Sequence, residues 1–268
     1  MARARKRRPV TIDLSGRVAI VTGGSRGIGR ACVEQLAAAG ADVVFSYRRH
    51  LGQAQEVVLH VKRTGGNAVA VRADMGRPKD CAALVATAQR RFGRLDILVN
   101  NAGIWEPPEG IEVESISDAH WSRTMRVNMD GVFYCTRAAV PVMKRGRWGR
   151  IVNVASTAGQ RGEDFHSDYA ASKGAIISFT KSLATELGPS GILVNAVAPW
   201  WVYTDMSREV LEGHSDTGRP SPVHEASPLG RVATPEEIAG PVLFLCSELA
   251  GFITGEILNV NGGTILCG

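Results

Sequence analysis

The sequence predicts an α/β fold in which a doubly wound parallel sheet of about seven strands carries helices on both faces. Short apolar runs alternate with longer helical patterns from Arg17 onwards, the order that parallel strands with right-handed crossovers require. Several runs are apolar throughout and rich in β-branched residues, as strands covered on both faces are. The 268 residues contain no repeat and no dividing linker, so we predict a single domain.

The predicted strands are short, and every one except the last is followed by a helical pattern. The strands are Val18–Val21, Val43–Phe45, Ala68–Val71, Ile97–Val99, Ile151–Val154, Leu193–Val197 and Ile257–Val260. The helices are Ile28–Ala39, Gln53–Thr64, Cys81–Phe92, Ala119–Lys144, Ala170–Leu187 and Pro235–Ser247. A helix after each strand allows all strands to run in the same direction.

The net charge of +5 is concentrated at the N-terminus. Without the five basic residues of the first eight positions, basic and acidic residues are equal in number. They are Arg3, Arg5, Lys6, Arg7 and Arg8. A neutral body argues against a nucleic-acid-binding face. We predict residues 1–12 as a flexible basic arm, residues 13–268 as the catalytic domain, and the Gly- and Pro-containing residues 200–227 as a substrate lid.

The cysteines and the hydropathy pattern bear on the class of protein. The cysteines, Cys32, Cys81, Cys135, Cys246 and Cys267, form no CxxC pair, which favours reduced thiols over a disulfide framework or a zinc site. The basic N-terminus lacks the apolar segment of a signal peptide, and no apolar run is long enough to span a membrane. We expect a cytoplasmic protein without a metal site.

A glycine-rich loop follows the first predicted strand and opens the first helix. It reads Thr22-Gly23-Gly24-Ser25-Arg26-Gly27-Ile28-Gly29. Glycines let the backbone approach a pyrophosphate, and the amides at a helix N-terminus receive its negative charge. The alternative is a glycine-rich turn that binds nothing, but the position between a strand and a helix favours phosphate binding.

Here the sequence resembles the short-chain dehydrogenase/reductase family, whose glycine motif is TGxxxGxG. The resemblance continues through Asn100-Asn101-Ala102-Gly103, through Asn128, and through Ser156, Tyr169 and Lys173 with the family spacing S-x12-Y-x3-K. It covers the chain from Ser15 to Gly263. The resemblance implies a Rossmann-type sheet and oxidoreductase activity with a nicotinamide cofactor.

Tyr169 and Lys173 are four residues apart in a helical segment, so their side chains share one face. We expect the ammonium to lower the pKa of the phenol toward the range of acid–base catalysis. The resemblance implies that Tyr169 exchanges the proton with the substrate, Ser156 orients the substrate oxygen, Lys173 also binds the nicotinamide ribose, and Asn128 sustains a water relay. Taken singly, each residue could be packing, a cap or a solvated charge.

The segment after the second strand bears on the choice of nicotinamide. NAD-binding domains place an acidic residue there, but this chain has Tyr47 followed by Arg48. Together with Arg26, Arg48 can hold a 2′-phosphate, so we predict NADP(H); the alternative is two surface arginines. The cofactor-binding residues that the resemblance implies are Gly23, Ser25, Arg26, Gly27, Ile28, Gly29, Tyr47, Arg48, Asp74, Met75, Asn101, Ala102, Gly103, Tyr169, Lys173, Pro199, Val202 and Thr204. Among them, Asp74 corresponds to an adenine contact.

The sequence departs from the family where N-x-x-x-P-G is expected, because Trp200 replaces the glycine and Trp201 follows. The two indoles either line the substrate pocket or brace the lid. The other candidates for substrate contacts are Trp105, Gln160 and Phe165. Arg161 could meet an acidic substrate or carrier protein, or be an exposed charge, and we expect a structural role for His166.

The function predicted is an NADP-dependent ketoreductase or secondary-alcohol dehydrogenase with Tyr169 as general acid/base. Residues 228–239, PLGRVATPEEIA, resemble those of 3-oxoacyl-(acyl-carrier-protein) reductases most closely, which implies a carrier-bound acyl substrate. The alternatives are a tailoring ketoreductase, a dehydrogenase of sugars, steroids or other secondary alcohols, or, in another class, a non-catalytic nucleotide-sensing regulator. The resemblance also implies a homotetramer.

Overall fold

A computed structural model describes residues 11–107, 109–212 and 226–266 of the chain. Most of the predicted arm, residues 1–10, lies outside the described residues, as do residues 213–225 of the predicted lid and Cys267. The other four cysteines are buried free thiols.

Seven parallel strands form one sheet in the order β3-β2-β1-β4-β5-β6-β7, which confirms the predicted doubly wound architecture. The strands are β1 Val18–Val21, β2 Asp42–Tyr47, β3 Asn67–Arg72, β4 Ile97–Asn100, β5 Gly149–Val154, β6 Ile192–Pro199 and β7 Ile257–Val260. Every predicted strand lies within an observed one. The sequence order reverses between β1 and β4, and ligands of such sheets bind outside the carboxyl ends of the strands at this point.

The helices lie on both faces of the sheet. They are α1 Gly27–Ala38, α2 Leu51–Arg63, α3 Pro78–Phe92, α4 Asp118–Met125, α5 Gly131–Gly146, α6 Ala158–Arg161, α7 Ser167–Leu187, α8 Arg208–Glu212 and α9 Pro235–Leu245. The prediction of one continuous helix over Ala119–Lys144 is wrong in detail. A π-helical turn over Arg126–Asp130 separates α4 from α5, and a π turn inserts one extra residue into an α-helix.

The strands divide the core into two layers, because successive side chains of a strand point to opposite faces. Ala19 and Val21 of β1 pack into one apolar cluster with α1 and α9. Val18 and Ile20 pack into the other with α3 and α5. All four residues of β1 are buried, as the apolar run predicted, so both layers hold the carboxyl end of this strand in place. In the described part of the chain, no helix is long and apolar enough to cross a membrane.

Candidate active site

A cavity of about 360 Å³ opens at the carboxyl ends of β1, β4, β5 and β6. This volume falls in the range of small-molecule sites, roughly 300–1,000 Å³. All eighteen cofactor-binding residues that the sequence predicted line its wall. The catalytic candidates Ser156, Tyr169 and Lys173 line it as well, so residues from distant parts of the chain meet at one edge of the sheet.

The glycine loop runs from β1 into the first turn of α1. Gly23 and Gly27 have positive φ values of 68° and 52°, a conformation that favours glycine. A Cβ on Gly29 would lie 2.2 Å from the carbonyl oxygen of Gly23. Arg26, the residue before α1, makes no capping hydrogen bond with its side chain. The backbone amides of the first turn of α1 are therefore available to an anion.

The loop after β4 is fastened to the glycine loop. The Asn101 side chain donates a hydrogen bond to the carbonyl oxygen of Thr22 at 2.9 Å. In return, the Thr22 hydroxyl accepts hydrogen bonds from the amides of Asn101 and Ala102, both at 2.9 Å. These bonds fix one wall of the cavity against the other and explain why threonine and asparagine occur at these positions.

Two arginines of the cavity wall face carboxylates. Arg26 lies 3.2 Å from Asp205, and Arg48 lies 3.1 Å from Asp74. Both guanidinium groups are about half exposed, and ion pairs of this kind stabilise little, about 0–1 kcal/mol. The arginines can therefore be drawn to a more highly charged anion at low cost.

Tyr169 and Lys173 lie on one face of α7 as their spacing predicted, with the Lys173 ammonium 5.6 Å from the centre of the Tyr169 ring. The predicted lowering of the phenol pKa is wrong for this structure. Burial and the nearby Glu163 carboxylate raise the pKa of Tyr169 above its ordinary value, and a hydrogen bond with Ser156 opposes them. Burial also lowers the pKa of Lys173 to about 8, so the ammonium is its main form only below this pH.

Asn128 lies behind the cavity wall, fully buried in the π-helical turn. Its side-chain oxygen accepts from the amide of Ile104 at 2.8 Å, and its nitrogen donates to the carbonyl of Ile104 at 2.9 Å and to Ser172 Oγ at 3.0 Å. A Cβ on Gly103 would come within 3.3 Å of Asn128 Oδ1 and 3.7 Å of Lys173 Nζ. Asn128 thus holds the segment next to Lys173.

Three tryptophans form the wall beyond Tyr169: Trp105, Trp200 and Trp201. The rings of Trp105 and Trp201 meet edge to face with centres 5.6 Å apart. Trp105 also packs against the His166 ring at a tilt of 35°, with the ring centres 4.4 Å apart. The structure therefore brings all three predicted tryptophans to the wall of the cavity that Tyr169 also lines.

Two predicted substrate contacts lie elsewhere. Gln160 belongs to the short helix α6 and donates a hydrogen bond to Asn259 of β7 at 2.8 Å. Phe165 is 60% exposed, and its backbone carbonyl accepts from the amide of Ile111 at 2.7 Å. Their position between Ser156 and Tyr169 in the sequence suggested both residues, but neither lines the described cavity wall.

Sequence reasoning missed Glu163, a carboxyl group that lines the cavity together with Ser156 and Tyr169. Burial and the neighbouring Asp164 raise the pKa of Glu163 above its ordinary value, while Arg161 and the Trp105 indole oppose the rise. An ion pair between Arg123 and Glu106, with 2.7 Å between the charged atoms, also lines the cavity and was missed. A lone acidic residue between two motif positions carries no pattern that a sequence can reveal.

Comparisons with known proteins agree with this geometry. A family model described as enoyl-(acyl carrier protein) reductase matches residues 23–264. A 3-oxoacyl-(acyl-carrier-protein) reductase of Synechocystis sp. is 38% identical over 94% of this chain and 98% of its own length. The enzyme of that name from Aquifex aeolicus is 40% identical over 94% of this chain and 98% of its own length. The short-chain reductase protein NovJ of Streptomyces niveus is 40% identical over 92% and 93%.

Solved structures show the same fold. A dehydrogenase/reductase from Sinorhizobium meliloti aligns with a TM-score of 0.86 and 36% identity, over 95% of this chain and 97% of the other. The crystal structure of gox2181 aligns with a TM-score of 0.88 and 33% identity, over 94% and 96%. The relatives and the structures therefore cover nearly the whole chain, including the glycine loop and Tyr169.

Proposed function

The chain belongs to the short-chain dehydrogenase/reductase family and is an oxidoreductase acting on CH–OH or C=O groups, and we propose that it is an NADP-dependent ketoreductase with Tyr169 as its general acid/base. The meeting of Ser156, Tyr169 and Lys173 at the end of the cavity that begins with the glycine loop carries this proposal. A hydride donor held along the glycine loop and β4 would reach a carbonyl next to Tyr169.

The family implies a nicotinamide cofactor, and the cavity fits such a dinucleotide. A side chain at Gly23 or Gly29 would crowd the backbone of Ala102 or of Gly23, so glycine lets the loop turn tightly beside the uncapped start of α1, where a pyrophosphate binds in folds of this class. A side chain at Gly103 would likewise crowd Asn128 Oδ1 beside Lys173. When bound, the nicotinamide supplies or accepts the hydride at the carbonyl carbon.

The side chains divide the remaining work. During reduction, Tyr169 donates its phenolic proton to the substrate oxygen as the carbon gains the hydride, so that C–H and O–H bonds replace the carbonyl π bond. Ser156 hydrogen-bonds the same oxygen and fixes its position. We assign to Lys173 the ribose hydroxyls and the replacement of the proton, through water held near Asn128. In the alcohol-to-ketone direction, the phenolate takes the proton back.

The preference for NADP rests on Arg26 and Arg48. Both line the cavity at the glycine loop and at the end of β2, where Tyr47 replaces the acidic residue that would repel a 2′-phosphate. Guanidinium groups form bidentate, charge-assisted bonds with phosphate. Asp74 and Asp205 hold the two arginines near this position.

Two observations bear on the identity of the substrate. The names of the relatives and residues 228–239 favour a 3-oxoacyl group on an acyl carrier protein. The tryptophan wall favours the second candidate, a tailoring ketoreductase or other secondary-alcohol dehydrogenase acting on a flat ring, because aromatic walls gain most from ring contacts. Residues 200–227 are proposed as the lid of either enzyme.

We propose a cytoplasmic homotetramer that binds neither membrane nor nucleic acid. A cluster of aromatic side chains on α5 and α7, partly exposed to solvent, supports assembly of subunits through these helices. Phe133 is 38% exposed, and its ring lies 5.6 Å from that of Tyr134 and 6.3 Å from that of Phe179. Exposed apolar surface of this kind is typical of interfaces.

The test of the proposed activity is the consumption of NADPH with a panel of ketones that includes 3-oxoacyl thioesters and cyclic ketones. We expect Tyr169→Phe to lose roughly 10²–10⁴-fold in rate and to keep its affinity for NADPH. Tyr134→Phe, which removes the same hydroxyl outside the cavity, should keep full activity. Turnover retained by Tyr169→Phe would contradict the assignment, and tight NADPH binding without turnover would favour the nucleotide-sensing regulator.

A further inference from the structure

The substrate end of the cavity combines an aromatic wall with one partly buried acidic group. Glu163 lines the cavity together with Ser156, Tyr169, Trp105 and Trp201. It is therefore placed among the groups that we assign to the carbonyl and to the rest of the substrate. The mechanism proposed above gives this carboxylate no role.

The turn that carries Glu163 is braced at several points. The Glu163 carbonyl accepts a hydrogen bond from the His166 amide at 3.2 Å, and the Phe165 carbonyl accepts from Ile111 at 2.7 Å. The His166 ring packs against Trp105 at a tilt. These contacts hold the backbone of the turn in place, and rigid placement is what a specificity contact requires.

The carboxylate keeps hydrogen-bonding capacity toward the cavity. A carboxylate has about four acceptor positions on its two oxygens, and the Trp105 indole, whose interaction with Glu163 lowers the pKa of this carboxyl, has only one N–H group. Burying an acceptor that lacks a hydrogen-bond partner is unfavourable. A substrate that carries a donor at this position avoids the cost, whereas one without a donor does not.

We propose that Glu163 determines substrate specificity by accepting a hydrogen bond from a hydroxyl group on a flat, ring-shaped ketone whose face or edge contacts the tryptophan wall. This inference rests on the proposed ketoreductase function and names the class of substrate. A hydroxyaryl ketone fits, since its ring contacts Trp105 and Trp201, its carbonyl reaches Tyr169, and its hydroxyl meets Glu163. A negatively charged substituent at the same position would be repelled.

Matched pairs of aromatic ketones provide the test. We would measure kcat/KM with NADPH for the 4-, 5-, 6- and 7-hydroxy-1-indanones and for their methoxy counterparts, which keep the oxygen but lack the donor. We expect the wild type to prefer at least one hydroxy isomer over its methoxy counterpart by tenfold or more. Glu163→Met should reduce this ratio to about threefold or less. Taking the ratio within each variant removes any effect of Glu163 on the acidity of Tyr169 from the comparison.

Asp164→Leu is the control, because it removes a carboxylate from the neighbouring, exposed position; it should keep the wild-type ratio. The same ratios can be measured without turnover, as dissociation constants for the NADPH-loaded Tyr169→Phe variant followed by tryptophan fluorescence. The inference is overturned if no hydroxy isomer is preferred in either assay, or if Glu163→Met keeps the preference. If turnover depends on Tyr169 but the hydroxy and methoxy ketones react equally well, the inference alone is overturned. If the hydroxy ketones bind more tightly but no ketone is turned over, the result counts against the proposed function alone.

Discussion

The ammonium of Lys173 donates a hydrogen bond to the main-chain carbonyl oxygen of Val154 at 2.7 Å. This bond joins the middle of α7 to the last residue of β5, two positions before Ser156. Lys173 is 4% exposed, and the contact holds it beside the cavity wall. The protein therefore accepts the cost of burying a cation in order to position it near Tyr169.

Because burying Lys173 is costly only while its side chain is charged, the stability of the protein should depend on pH. Burial lowers the pKa of Lys173 from 10.5 to about 8 in the folded chain, so the unfolded chain binds more protons between these values. Relative to Lys173→Met, the free energy of unfolding of the wild type should be lowest below pH 8. It should rise by up to roughly 3 kcal/mol toward pH 10.5, at about 1.4 kcal/mol for each pKa unit.

Urea unfolding of both proteins without nucleotide, across this pH range, measures the difference directly. Lys181→Met removes an exposed lysine from the same helix and should show no such rise. A difference between wild type and Lys173→Met that stays constant from pH 8 to pH 10.5 would show that the buried lysine keeps its proton.

The two arginines of the cavity wall should distinguish the nicotinamides. Arg26→Ala and Arg48→Ala each remove a charged partner of the 2′-phosphate, and hydrogen bonds to charged groups contribute about 1.5–3 kcal/mol. We expect the dissociation constant for NADPH to rise about 10- to 100-fold and that for NADH to change less than about threefold. Fluorescence titration measures both, with Arg63→Ala on the exposed end of α2 as the control. If the affinities for NADPH and NADH fell by the same factor, the assignment of the 2′-phosphate site would be contradicted.

Gly29 and Gly52 form a matched pair for the glycine loop. A methyl group on Gly29 would collide with the carbonyl oxygen of Gly23 at 2.2 Å and with Asn101 Nδ2 at 2.5 Å. Overpacking costs about 1–3 kcal/mol, so Gly29→Ala should lower stability and abolish nucleotide binding.

Gly52 lies in α2, and a methyl group there would have nothing within 4 Å, so Gly52→Ala should stabilise the protein by about 0.4–1 kcal/mol. Thermal unfolding and NADPH titration test both, and nucleotide binding retained by Gly29→Ala would contradict the close approach.

The strands and the cofactor wall could be predicted because their signals are local. The run Val18–Val21 is apolar on both faces, and the glycine loop begins directly after it. The π-helical turn around Asn128 has no such signal, since the segments on both sides of it, α4 and α5, are themselves helical and the turn inserts only one extra residue between them. The raised pKa of Tyr169 depends on Glu163 and on burial, both of which arise only when distant segments pack together.

The indole of Trp200 offers the sharpest test of the substrate end. Trp200 stands where the family has glycine, and its side chain lines the cavity with Trp201. If this wall contacts a ring, Trp200→Gly should lower kcat/KM for bicyclic aromatic ketones relative to a short 3-oxoacyl thioester by about tenfold. Lost aromatic contact contributes about 0.5–1.5 kcal/mol, and lost burial contributes more.

Trp200→Ala separates the loss of the ring from the added freedom of a glycine backbone, so both variants should shift the ratio in the same direction. Trp121→Ala, which removes a 43% exposed indole from α4, should leave the ratio unchanged. An unchanged profile of accepted ketones in both Trp200 variants would mean that the indole braces residues 200–212 and does not contact the substrate. The tryptophan wall would then consist of Trp105 and Trp201 alone, whose edge-to-face contact does not depend on Trp200.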